Sequence, residues 1–214
     1  VDTTAPIITL IGNNNINHER GIPYNDLGAI ATDLSGIDLT SNIVVNNGVL
    51  HNIVDMYEVT YDVSDNFGNQ ASQVTRTVNV IDTTAPIITL NGSAIVTHEK
   101  GTIYNDLGAI ATDLSNIDLT SIIVTNNNVD QDNVGTYSVT YNVSDNSGNQ
   151  ASQVTRTVNV IDTTAPVITL IGNSTVIHEM NTIYNDLGAT AVDSPGIDLT
   201  SNIVVNNEVN INVE

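Results

Sequence analysis

The sequence predicts an all-β fold made of antiparallel β-sandwiches joined in tandem, on three observations. The hexapeptide Ile81-Asp82-Thr83-Thr84-Ala85-Pro86 returns as Ile161 to Pro166 and, with one change, as Val1 to Pro6, so Asp2, Asp82 and Asp162 recur every 80 residues. A fixed period of that length marks an array of modules. Tyr137, Val139, Tyr141 and Val143 alternate with Thr136, Ser138, Thr140 and Asn142, which gives one apolar and one wet face. Short β-branched runs bounded by turn clusters, with no helical period anywhere, complete the pattern of a sandwich. The period divides the 214 residues into repeats at 1–80, 81–160 and a shorter third copy at 161–214.

The second copy serves as the template. Ala85-Pro86 reads as a stiff, extended joint, because proline fixes φ and pushes its predecessor toward extended backbone. Ile87 to Leu90 is a buried strand ended by Asn91-Gly92. Ile95 to His98 resumes it, and Glu99-Lys100-Gly101 turns the chain back. Thr102 to Asp113 is expected as one long strand with Leu107, Ala109 and Ala111 on a common face and a bulge or close packing at Gly108. Asp113 to Asp118 is a polar loop, Ser121 to Asn126 the next strand, and Thr136 to Val143 the clearest one. After the turn Asp145 to Asn149, Val154, Val158 and Val160 alternate in the last strand, with Arg156 in phase. That arginine is expected to lay its stem along the core edge and reach an acid or solvent.

Composition bounds the partners. Only 4 Lys and Arg stand against 24 Asp and Glu, for a net charge of −20, so nucleic acid and anionic membranes are poor partners and a divalent cation a natural one. There is no cysteine to staple modules this small. No apolar run is long enough to span a bilayer. The chain opens in mid-pattern at Val1 and stops in mid-repeat at Glu214, which suggests a piece of something longer. The third copy lacks the Tyr/Val-alternating strand and the final strand, and is expected to be only partly stable alone.

The order DTTAPxITLxG, YNDLGAIATD, IDLTSxI, VGTYSVTYNVSDNSGN and TRTVNV resembles the bacterial immunoglobulin-like surface repeat, a module also found in an insecticidal crystal protein and in large secreted adhesins and enzymes. The resemblance covers both complete repeats. It implies tandem Ig-like sandwiches of seven strands, used as extracellular spacers on the bacterial surface. Leu27, Leu107 and Leu187 stand where the family often has proline, and Gly36-Ile37-Asp38, Asn116-Ile117-Asp118 and Gly196-Ile197-Asp198 where it often has an acidic run.

Strand parity supplies a candidate site. If each module enters at its top and leaves at its bottom, Asp82, Asp113, Asp118, Asp145 and Asn146 share the end that faces the preceding module. Equivalent sets are Asp2, Asp33, Asp38 and Asp65, and then Asp162, Asp193 and Asp198. Oxygens converging from three loops suit Ca²⁺, which takes about six to eight oxygen ligands. The same residue types also form turns and cap backbone amides with no ion bound.

His18, His98 and His178 recur beside Glu19, Glu99 and Glu179, too few ligands for zinc. No nucleophile with an oriented base is visible, so no enzymatic activity is expected. The expected function is a stalk or spacer segment of a secreted or cell-surface adhesin, whose partners are neighbouring modules of the same chain. Two complete modules would make a rod of about 70–90 Å at ~3.3 Å per strand residue. The rival is an accessory module that binds a host protein or glycan. Against that rival stand the absence of Trp and a single Phe, Phe67, at a loop tip where the second copy has Ser147.

Overall fold

The structure, a computed structural model, describes residues 2–34 and 36–212. Glu214, where the third copy breaks off, lies outside the described residues. Two compact units emerge: one combines residues 1–89 with 109–124 and 142–153, the other 90–108, 125–141 and 154–214.

The first copy is built from β1 (Ile7–Leu10), β2 (Asn15–Glu19), β3 (Ala29–Thr32), β4 (Val44–Asn47), β5 (Asp55–Asp62) and β6 (Val74–Ile81). β1 pairs β3 antiparallel with Ile8 opposite Ala31. The facing sheet has the order β2-β6-β5-β4. Its pairings are antiparallel except that β2 joins β6 in parallel, Ile16 opposite Val78. The two inner faces close over one core, in which Ile8, Ala29, Ala31 and Leu39 cluster with Val59, Tyr61, Val63, Ala71, Val78 and Val80. Each such valine contributes about 1.5–3 kcal/mol by leaving water. The alternation read from the sequence is therefore the alternation of burial.

The second copy repeats the pattern with β7 (Ile87–Leu90), β8 (Ile95–Glu99), β9 (Ala109–Asp113), β10 (Ile117–Asp118), β11 (Val124–Asn127), β12 (Gly135–Asn142) and β13 (Val154–Ile161). These seven strands form sheets of order β10-β9-β7 and β11-β12-β13-β8. The third copy contributes β14 (Val167–Leu170), β15 (Ala189–Asp193) and β16 (Ile197–Asp198) in one sheet, and among its described residues no strand follows β16. Ile168 is 63% exposed there, whereas its counterparts Ile8 and Ile88 are 8% exposed.

Two strands differ from expectation. The run from Thr102 is a strand only from Ala109, and Leu107 is exposed rather than in phase with Ala109 and Ala111. Gly108 adopts a φ of 73°, which breaks the alternation, and its amide bonds to Asp106 instead of a strand. The expected strand from Ser121 begins as a 3-10 turn at Thr120–Ile122 and becomes β11 only at Val124. The Asp118 carboxylate accepts from the Thr120 amide and starts that turn.

Candidate functional site

Each complete copy holds two polar assemblies, one inside the sandwich and one at its end. Inside, Arg76 projects from β6 between valines and is 1% exposed. Its guanidinium donates to Asp26 and to the Ile11 and Gly28 carbonyls, and its Nε to Asn13 O at 3.1 Å. Asp26 also accepts from Tyr24 Oη at 2.9 Å, Tyr61 Oη at 2.5 Å and the Gly28 amide at 2.8 Å. Burial raises the Asp26 pKa, but these four donors outweigh it and leave the carboxyl below its usual range. The Tyr61 hydroxyl is pushed far up by its own burial and by the Asp26 charge. Arg156, Asp106 and Tyr141 repeat this arrangement in the second copy. The arginine does reach an acid, but from within the core rather than along its edge.

At the end of the first copy, Asp2, Asp33 and Asp65 bring one carboxylate oxygen each to within 4.8 Å of one another. Asp82, Asp113 and Asp145 do the same. They come from the linker, the end of β9 and the turn after β12, and are three of the five residues that strand parity put at this end. The turn is held by its own aspartate: Asp145 accepts from the Ser147 and Asn149 amides, and Asn149 Nδ2 reaches back to the linker carbonyl of Asp82 at 3.0 Å. Asp65 and Asn69 hold the first turn to Asp2 O in the same way.

Asp38, Asp118 and Asp198 stand apart from these triads. Each caps the amide two residues on, in Thr40, Thr120 and Thr200, and those threonines keep the three carboxyls below their ordinary pKa. Asn146 follows Asp145 in the turn after β12. Asp162 pairs with Lys100 Nζ at 3.0 Å, and Asp193 accepts from the Ser194 amide.

The sequence reading overlooked what holds the linker. Glu19, at the end of β2, accepts from the Thr83 amide at 2.9 Å, the Thr83 hydroxyl at 2.8 Å and the Thr84 hydroxyl at 2.9 Å. Glu99 grips Thr163 and Thr164 likewise, and their hydroxyls and amides hold its carboxyl down to about 2. Beside Glu19, Arg20 Nη2 lies 2.9 Å from Asp82 Oδ2 and 2.8 Å from Asp113 Oδ2. Gly21 follows with a φ of 81°, and a Cβ there would stand 2.7 Å from Ser115 Oγ. The recurrence of His-Glu-Arg and His-Glu-Lys at the same place in the two complete copies was the available signal. His18, next to Glu19, meets the Ile22 carbonyl through Nε2 at 2.7 Å.

A family model described as "Bacterial surface protein, Ig-like domain" matches residues 8–80 and 88–160. Hyalin of Lytechinus variegatus is 35% identical over 188 residues, 79% of this chain and 34% of hyalin. Pesticidal crystal protein Cry22Aa of Bacillus thuringiensis is 28% identical over 216 residues, 90% of this chain and 27% of that protein. The chain thus spans about a third or less of the length of these relatives. The solved structure of the M60 catalytic domain with the CBM51-1 and CBM51-2 domains of Clostridium perfringens ZmpB covers 81% of this chain and 33% of its own, with 14% identity and a TM-score of 0.42.

Proposed function

Because the chain belongs to the bacterial surface protein Ig-like domain family, whose model spans both complete repeats, we propose that it is a spacer segment of a larger extracellular protein, an adhesin foremost, with calcium at its acidic clusters. The observation that carries this reading is the clamped linker. Thr83 and Thr84 are fixed by Glu19, and Thr163 and Thr164 by Glu99. A linker held on both backbone and side chain transmits force from one module to the next, where a free tether would absorb it. The partners are neighbouring modules of the same parent chain.

Calcium is supported by the chemistry of the donors. Asp2, Asp33 and Asp65 offer three hard oxygens at one point, and Asn69 Nδ2 on the Asp2 carbonyl keeps the linker beside them. A ligand that binds only the folded state raises its stability by mass action. Thermal unfolding of the 214-residue chain in millimolar CaCl₂ and in excess chelator tests this: the expected result is a higher melting temperature with calcium, lost in Asp65→Asn. Equal melting temperatures in both media would refute calcium and leave a spacer held by its cores and linkers.

A second reading, recognition of a host protein or glycan, draws on Phe67, which is 69% exposed at the tip of the Asp65–Asn69 turn. Aromatic rings on exposed tips are anchors for ligands. Binding on a glycan or host-protein array that disappears in Phe67→Ser would favour this reading, and an array without signal would favour the spacer.

A further inference from the structure

The triads of the first and second copies share their geometry but not their surroundings. Among the described residues, only Asp82, Asp113 and Asp145 are entered by a cationic side chain, that of Arg20. The fit is incomplete. Arg20 Nη2 donates a hydrogen bond to Asp113 Oδ2 but not to Asp82 Oδ2, although it lies 2.9 Å from the latter. Asp82 Oδ2, Asp113 Oδ1 and Arg20 Nε are all buried with no hydrogen-bond partner. The Asp82 and Asp113 side chains are each 1% exposed, so bulk solvent does not reach them. One guanidinium therefore contacts two of the three clustered carboxylates, and each of those two keeps a buried oxygen without a hydrogen bond.

The residue in question is graded along the chain. After His-Glu the three copies carry Arg20, Lys100 and Met180. Lys100 pairs with Asp162, the counterpart of Asp82, and methionine carries no charge at all.

Resting on the reading of these triads as cation sites, we propose that Asp82, Asp113 and Asp145 form a divalent-cation site for which Arg20 is a built-in competitor. The guanidinium supplies positive charge to the same oxygens that would ligate the ion, so it closes the joint when calcium is scarce and weakens calcium binding when it is not. The residue after His-Glu in one copy thereby sets the ion dependence of the acidic cluster in the next. A tethered cation is always present at its site, whereas a free ion binds only in proportion to its concentration.

Equilibrium dialysis of the 214-residue chain against CaCl₂, compared between wild type, Arg20→Met and Arg20→Gln, tests the proposal, with thermal unfolding in calcium and in chelator alongside. Both variants are expected to bind one additional calcium ion, or to bind at this cluster at least tenfold more tightly. Their melting temperatures should fall in chelator and recover in calcium, and Asp113→Asn added to either variant should abolish the gain. Arg20→Gln keeps a polar group in the buried site, so it carries the comparison if Arg20→Met fails to fold. Calcium uptake equal to wild type in the folded variant overturns the proposal. Asp65→Asn separates this result from the broader calcium reading: if it removes wild-type uptake while the Arg20 variants gain nothing, the competitor fails and the first-copy site stands. If it leaves wild-type uptake unchanged while the Arg20 variants gain an ion, the reverse holds.

Discussion

Arg76 and Arg156 are the largest fully buried side chains among the described residues. An arginine among valines is tolerated because Asp26 or Asp106 neutralises it and backbone carbonyls take its remaining donors. Removing the acid leaves the charge without compensation. Asp26→Asn is therefore expected to destabilise the first copy by about 3–5 kcal/mol in denaturant unfolding, and Tyr61→Phe by about 1–2 kcal/mol through one lost hydrogen bond. The in-phase arginine was legible in the sequence. Its partner was not, because Asp26 and Arg76 are 50 residues apart and meet only once β6 is seated beside the segment before β3. Glu99 gives a pH test at the same scale. Its folded pKa of about 2 lies below the ordinary value of 4.5, so its contribution to stability is complete above about pH 4.5 and is lost as pH falls toward 2. Acid titration of the melting temperature should show that loss in the wild type, and a shallower fall in Glu99→Gln.

At the scale of elements, the turn after β2 and the strand pairs of the third copy carry the sharpest expectations. Gly21 combines a left-handed backbone with close approach to Ser115 and Leu114. Gly21→Ala is expected to cost about 1–2 kcal/mol from the backbone alone, with a further loss where the new methyl meets Ser115. Unfolding that shows no change would mean the turn relaxes freely. β14 has the sequence of a core strand, yet Val167, Ile168 and Leu170 are all more than half exposed. Ile88→Ala should therefore cost about 2–4 kcal/mol, while Ile168→Ala costs far less, because only the first removes buried surface. By the same reasoning, limited proteolysis should cut within 161–212 before it cuts 1–160. Periodicity placed β12 to within one residue at each end and marked β13 by its in-phase valines, since alternating burial over eight positions is a strong signal. It overextended the strand before Ala109 because a glycine at positive φ shifts the phase without interrupting the apolar run.

For the molecule as a whole, a net charge of −20 with 4 basic residues makes self-repulsion a general load. Raising NaCl from about 0.01 M to 0.15 M shortens the screening length from roughly 30 Å to 8 Å, and should raise the melting temperature of wild type and Asp65→Asn alike. Millimolar calcium, by contrast, should distinguish the two. A calcium effect that NaCl at equal ionic strength reproduces would mark screening alone.

By itself the sequence determined the repeat period, the all-β class and the alternation of the central strands, and it offered the linker, loop and turn aspartates as candidates. Each of these follows from local pattern or from strand parity, which counts reversals of the chain without needing coordinates. Only the tertiary structure decided which acids meet. Asp38 and Asp118 sit as near in sequence to the clusters as Asp33 and Asp113, yet their carboxylates are spent on the Thr40 and Thr120 amides. Tertiary structure alone also put Arg20 on Asp82 and Asp113, and Glu19 on Thr83 and Thr84. Those contacts join residues about 60 to 90 positions apart through side chains, and side-chain reach depends on how the sheets are stacked, a quantity no pattern along the chain encodes.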